Sequence, residues 1–229
     1  IFRNLSDENK NKWLREFKDK TGYDFYIVTP EEENEYTVYG AISKALYNEN
    51  VAVMIGGGGS TELSIVNDGK IIESVNYSFG AMDVSDNYPD LREDYAKTNY
   101  DKMIKETLAG MDMPKNKADV LILAGGDYIY FYEELDYPVS KNNLWSDELE
   151  PYMIDTVTMD KLDRDFFYNK SLDEICKRTN NEGWWRGARG MRICVKTLVD
   201  ALGVKYIIPT RITMVYGIKE AIKSGKFTK

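Results

Sequence analysis

Hydrophobic residues recur along the chain in two rhythms. Between residues 6 and 20, Trp13, Leu14 and Phe17 fall at helical spacing, and Gly22 stands just past them, where a left-handed residue closes a helix. Asp24-Phe25-Tyr26-Ile27-Val28 reads as a short strand. Thr29-Pro30-Glu31-Glu32 opens a second helix, because Thr29 and Glu32 have capping-box spacing and Pro30 takes the first helical position. That helix is predicted to reach Tyr47, with Tyr36, Tyr39, Ile42 and Leu46 on its apolar side. Residues 51–55, Val-Ala-Val-Met-Ile, form the unbroken apolar run of a strand buried on both faces. Beyond four glycines, Thr61, Leu63 and Ile65 alternate as one side of a second strand. Asn67-Asp68-Gly69 signals a tight turn into residues 70–75, so these three strands make a meander.

The second half alternates helix and strand. Tyr77-Ser78-Phe79-Gly80-Ala81-Met82 is a small-residue bend. Residues 91–108 read mainly as helix, with Gly110 past the end. Residues 118–124 are a strand that stops at Gly125-Gly126-Asp127, a junction of the kind where open α/β sheets bind ligands. Asp127 either meets a metal or ribose there or caps the next helix. Residues 131–157 are aromatic, acidic and irregular, and are expected to form an elaborated insertion. Short helices are predicted at 160–168 and 172–177, a long one leading from Trp184 to Leu202 and ending at Gly203, a strand at 205–208 and a last helix at 211–224. Arg186, Arg189 and Arg192 share roughly one helical face, as the lining of an anion site or as a solvated face. The fold class is α/β, a mixed sheet with flanking helices.

Composition narrows the chemistry. With 229 residues and a formal net charge of −8, the chain can bury a substantial core, and its acidity disfavours broad nucleic-acid binding. No apolar run approaches the roughly 20 residues that span a bilayer, so no membrane partner is expected. Two cysteines without metal-ligand spacing fit a reducing compartment, the cytoplasm. There is no histidine, which excludes His general bases, Ser-His-Asp triads and His-ligated zinc. Acid–base work falls to carboxylates, and the expected metal is a hard, oxygen-held one such as Mg²⁺.

The glycine hairpin concentrates the candidate residues. A tip of glycines can adopt positive φ and turn successive N–H groups toward one point, a nest for a phosphate oxygen. Ser60 and Thr61 add hydroxyls and Glu62 a rim carboxylate. A plain flexible hairpin is the bland alternative. The loop is no Walker A, since no lysine follows, and no G-x-G-x-x-G, since Thr61 replaces the last glycine. Carboxylates favour a helix start, and Glu32 is explained as the cap; Glu33 and Glu35 are not.

Gly57-Gly58-Gly59-Ser60-Thr61-Glu62-Leu63 resembles the D-I-G-G-G-S-T-E-L signature of the Ppx/GppA family of exopolyphosphatases and guanosine-pentaphosphate phosphohydrolases, whose lobes have the ribonuclease H-like, actin/hexokinase-like ATPase plan. Phe2-Arg3-Asn4 is similar to the end of that family's A-L-R-x-A-x-N stretch. Val28-Thr29-Pro30-Glu31-Glu32-Glu33 is similar to its I-S-G-x-E-E-A segment, Phe79-Gly80-Ala81 to its L-G-A/C bend, and residues 208–217 to its closing helix start. The resemblance implies two lobes around a phosphate cleft and release of orthophosphate from polyphosphate or guanosine pentaphosphate. It implies Glu33 as the carboxylate that activates water, and Arg3, Gly57, Gly58, Gly59, Ser60 and Thr61 as phosphate contacts. Glu62 is implied as the carboxylate near the Mg²⁺. Polyphosphate or guanosine polyphosphate is the expected partner, and a homodimer is allowed for.

Two positions depart from the pattern. Ile55, or Met54 with the match shifted by one, stands where the family has an aspartate, which predicts weak metal dependence, and Gly125-Gly126-Asp127 replaces its S/G-G-T loop. A member that binds phosphate chains or nucleotides without fast turnover, or a sugar- or acid-kinase relative, are the alternatives. The resemblance further implies an upstream phosphate hairpin that nothing here matches. Residues 1–49 are therefore expected to be the end of a first lobe and residues 50–229 the second. The bridging helix should then have its apolar side partly uncovered, and these residues alone should show no measurable exopolyphosphatase activity.

Overall fold

The computed structural model describes residues 5–43, 46–125, 128–137, 140–141 and 152–225. A mixed sheet runs in the order β3-β2-β1-β4-β7-β6, with the two-residue β5 (Ser140–Lys141) beyond β6. Strands β1 (Val51–Gly56), β2 (Thr61–Asn67) and β3 (Lys70–Tyr77) form the expected antiparallel meander. Strands β4 (Val120–Ala124) and β7 (Tyr206–Pro209) continue it in parallel with β1, and β6 (Tyr152–Asp155) runs antiparallel to β7.

The sheet is covered on both sides, which is why β1 and β4 read as unbroken apolar runs. Ala52, Met54, Leu121 and Leu123 enter one core together with Trp185, Ile193 and Leu198 of the long helix α8 (Glu182–Leu202). Val51, Val53, Val120 and Ile122 enter the other with Val38, Ala41 and Ile212. On the first side also lie α3 (Ala81–Asn87), α4 (Tyr100–Ala109), α5 (Ile129–Glu134), α6 (Thr156–Tyr168) and α7 (Leu172–Thr179). On the second lie α2 (Pro30–Ala41) and α9 (Met214–Lys223).

The helix ends obey local rules. Ser6 accepts the Asn9 N–H at the start of α1 (Asp7–Thr21), and Gly22 closes it at φ 76°. At α2 the Thr29–Glu32 capping box is complete in both directions, with Pro30 in the first turn.

Four expectations are corrected. Residues 24–28 are no strand: Phe25 packs instead on Trp13 and Phe17, with ring centroids 5.0 and 5.3 Å away. Helix α2 stops at Ala41, and its buried face is Asn34, Thr37, Val38, Gly40 and Ala41, not the tyrosine side. Helix α9 crosses that buried face backbone to backbone, while Tyr39, on the side read as apolar, is 36 % exposed. A Cβ on Gly217 would sit 1.6 Å from the Tyr36 carbonyl oxygen. Residues 91–108 are α-helical only from Tyr100: a 3₁₀ turn spans Pro89–Arg92, and the Asp90 carboxylate accepts the Lys97 and Thr98 N–H groups (both 2.6 Å) and holds a loop before Asn99 caps α4.

A candidate active site at the glycine hairpin

Strands β1 and β2 pair from Val51↔Val66 up to Gly56↔Thr61, and Gly57 N–H donates to the Ser60 carbonyl at 2.8 Å to close the tip. The carbonyls of Gly57 and Gly58 then accept the N–H groups of Ala81 (3.0 Å) and Met82 (2.8 Å). These donors open α3 and have no partner within their own helix. The bend before α3 fits because Gly80 has no Cβ: one there would stand 2.3 Å from the Gly57 oxygen. Behind α3, a Cβ on Gly190 would stand 2.2 Å from the Ala81 oxygen. Helix α8, helix α3 and the loop are thus stacked backbone on backbone, and packing fixes the loop position.

This corrects the left-handed nest. None of the glycines from 56 to 59 has φ in the left-handed region. Recruitment of two loop carbonyls by α3 sets the turn instead. Gly58 and Gly59 are exposed at the tip, and Gly57 and Ser60 are half-buried. The Thr61 hydroxyl donates inward to the Phe79 carbonyl at 3.0 Å.

Glu62 is buried at 2 % exposure, on the α2 side of the sheet. Its cross-strand neighbours are Ile55 and Asn76. The Asn34 amide donates to the Asn76 side chain at 2.9 Å, tying the start of α2 to this row. Glu33, half-buried, precedes Asn34 directly. The structure therefore brings the first turn of α2 and the Glu62 row together, one residue from the glycine tip. Arg3, Gly126 and Asp127 lie outside the described residues. Gly125 is described: its φ of 111° demands glycine, and its N–H donates to Ile212 at 2.7 Å.

Among the described residues no three Asp, Glu, Cys or His side chains gather where they could hold an ion. Ile55, opposite Glu62, packs on the second core and offers no ligand.

The arginine face of α8 is neither anion site nor solvated face. Arg189 is fully buried and donates to the carbonyls of Phe166, Glu93, Asp94 and Lys170 at 2.7–3.2 Å; burial pulls its pKa down to about 10. Arg192 donates to Asp163 at 2.7 and 3.1 Å. Burial works against its charge, yet the Asp163 carboxylate overrides this and raises its pKa. Arg186 bonds Glu182, Asp173 and the Arg92 carbonyl.

Sequence reasoning missed a cleft of about 250 Å³ between the hairpin and the first half of α8. Its lining includes Gly57, Gly58, Met82, Trp184, Gly187 and Met191. The signal was the four-residue spacing of Gly183 and Gly187, small residues on one face of a helix.

A sequence model of the Ppx/GppA phosphatase family matches residues 6–122. A search of curated protein sequences returns no match. Among solved structures, the Aquifex aeolicus Ppx/GppA family member superposes with a TM-score of 0.72 at 17% identity, over 96% of this chain and 71% of that one. An exopolyphosphatase from Cytophaga hutchinsonii superposes with a TM-score of 0.68 at 14% identity, over 95% and 71%. These likenesses show the fold. Among the described residues no helix is long and apolar enough to cross a membrane.

Proposed function

The chain belongs to the Ppx/GppA phosphatase family, and from that premise we propose that it hydrolyses phosphoanhydrides, releasing orthophosphate from polyphosphate or guanosine pentaphosphate. The observation that carries the reading is the placement of Glu33. Its neighbour Glu32 is consumed by the cap, and what supports a role for Glu33 is that the next residue, Asn34, is hydrogen-bonded to Asn76, which is paired with Glu62 across the sheet.

In this reading the Glu33 carboxylate takes a proton from water. The water oxygen forms a bond to the terminal phosphorus as the bridging P–O bond breaks. The electron pair leaves on the bridging oxygen of the shortened chain. Such a transfer needs positioned charge and an oriented nucleophile more than covalent catalysis. The exposed Gly58–Gly59 tip and the Ser60 hydroxyl, on an edge whose place is fixed by α3, take the role of phosphate contacts, and the family resemblance adds Arg3 to them. Glu62 would be the protein carboxylate beside a Mg²⁺, which would offset charge on the phosphate oxygens; Mg²⁺ commonly uses one or two carboxylates plus phosphate oxygens.

A second reading, binding without fast turnover, is favoured by one observation: Ile55 places an apolar side chain directly opposite Glu62. Glu33→Gln in the complete protein tests the first. A positioned general base contributes about 10²–10⁴-fold, so phosphate release should fall at least that far with the melting temperature unchanged. Retained activity would overturn the assignment.

A further inference from the structure

A methionine stands against the glycine tip. Among the described residues only Met82 and Met113 are exposed methionines, at 48 % and 41 %. The Met82 N–H donates to the Gly58 carbonyl at 2.8 Å, and its side chain lies along the same residue: a Cβ on Gly58 would stand 3.1 Å from Met82 Cγ. Its sulfur also meets an arginine. Arg92 Nη2 donates to the Met82 carbonyl at 3.4 Å and to Sδ at 4.0 Å, and to Asp86 at 2.6 Å. Asp86 takes one Nη2 hydrogen and leaves the other for Met82. The Arg92 backbone is tied to α8, because its carbonyl accepts Arg186 Nη1 at 2.8 Å. At Met113, among the described residues, no cation is bonded to the sulfur.

That arrangement changes what the sulfur can do. A thioether attacks hydrogen peroxide through its lone pair. The S–O bond forms as the O–O bond breaks, and the sulfur gives up two electrons. The departing hydroxide takes the proton left on the new S–OH, so one sulfoxide and one water result. Negative charge develops on that hydroxide, and a guanidinium N–H beside the sulfur is placed to meet it. After the transfer, the sulfoxide oxygen falls within hydrogen-bond reach of the same nitrogen. A flexible apolar side chain has become a polar one. It is drawn toward Arg92 and away from the cleft wall that Met82 forms with Gly58, Trp184 and Met191.

We propose that Met82 is a modification site: hydrogen peroxide oxidises it in preference to the other exposed thioether, Arg92 assists, and the sulfoxide loosens the glycine tip. The site itself stands on geometry, and only its effect on turnover rests on the phosphoanhydride reading above. The test exposes the complete protein to hydrogen peroxide and follows oxygen uptake at each methionine by peptide mass spectrometry. Exposure alone predicts similar rates at Met82 and Met113. One hydrogen bond to the developing charge makes Met82 faster by about fivefold or more, and Arg92→Gln should bring the two rates together. Equal rates in the unsubstituted protein, or a preference that survives Arg92→Gln, would overturn the site. The turnover arm measures phosphate release from polyphosphate with Mg²⁺ before and after peroxide. Release should fall several-fold and recover with methionine sulfoxide reductase, and in Met82→Leu, a swap of similar volume, it should not respond to peroxide. A loss that persists in Met82→Leu would overturn the coupling to the tip. If the untreated protein releases no phosphate, the hydrolase reading fails, and the mass comparison alone decides the site.

Discussion

Replacing Asp163 by Asn should cost this fold more than any surface change. Asp163 is fully buried, and its carboxylate accepts from Arg192 Nε at 2.7 Å, from a terminal guanidinium nitrogen at 3.1 Å and from the Tyr100 hydroxyl at 3.0 Å. Arg192 is itself 2 % exposed and lies over the Phe131 ring at 5.0 Å. Asn keeps the shape and removes the counter-ion, and a guanidinium does not escape by losing its proton. Breaking one half of a buried pair costs about 3–5 kcal/mol. For a chain of this size each kcal/mol moves the melting temperature by about 2–4 °C, so a fall of roughly 6–20 °C is expected in calorimetry. Arg192→Met supplies a pH test. Burial already pushes the Asp163 carboxyl up, against the pull of Arg192, and without that cation it rises further above the unfolded value of about 3.9. A raised folded pKa means that the penalty is absent below the unfolded pKa and grows as pH rises through the folded one. The variant should therefore lose most stability near neutrality and least near pH 3–4. A cost below about 1 kcal/mol for Asp163→Asn, or a pH-independent cost for Arg192→Met, would refute the buried-pair reasoning.

Two further substitutions probe the site. Gly80→Ala forces a methyl to 2.3 Å from the Gly57 oxygen and 2.8 Å from that of Gly58; it should destabilise by about 1–3 kcal/mol and depress phosphate release by displacing the loop, and an unaltered melting curve would sink the stacking account. Ile55→Asp puts a second carboxylate, at a half-buried position, directly opposite the buried Glu62. It should lower the melting temperature without metal and regain it with millimolar Mg²⁺, by binding the folded state; indifference to Mg²⁺ would place the metal elsewhere.

What was legible in the sequence was local. The Thr29–Glu32 box, Gly22 and Gly203 are settled by neighbours within one turn, and the meander by an apolar run, a glycine tip and an Asp-Gly turn. What was not legible depended on distant backbone. Helix α3 was read as a bend because its first donors are satisfied by Gly57 and Gly58 carbonyls over 20 residues earlier, not by a capping side chain. The arginines of α8 looked solvated or anion-binding because carbonyls of residues 93, 94, 166 and 170 are invisible to spacing. The face of α2 was misjudged because it buries Asn34, Thr37 and Gly40, which hydrophobicity passes over, and turns Tyr39 outward. At the site, the residues of the hairpin were found by pattern, but the cleft beside them needed α8 folded against it.

The central claim is hydrolytic attack at a terminal phosphorus, and one measurement addresses it directly. The complete protein is given guanosine pentaphosphate, and separately polyphosphate, with Mg²⁺ in H₂¹⁸O and no other acceptor, and the products are weighed by mass spectrometry. The account predicts orthophosphate carrying one ¹⁸O and an unlabelled shortened chain. Label in the shortened chain, or no orthophosphate without an added acceptor alcohol or acid, would contradict it.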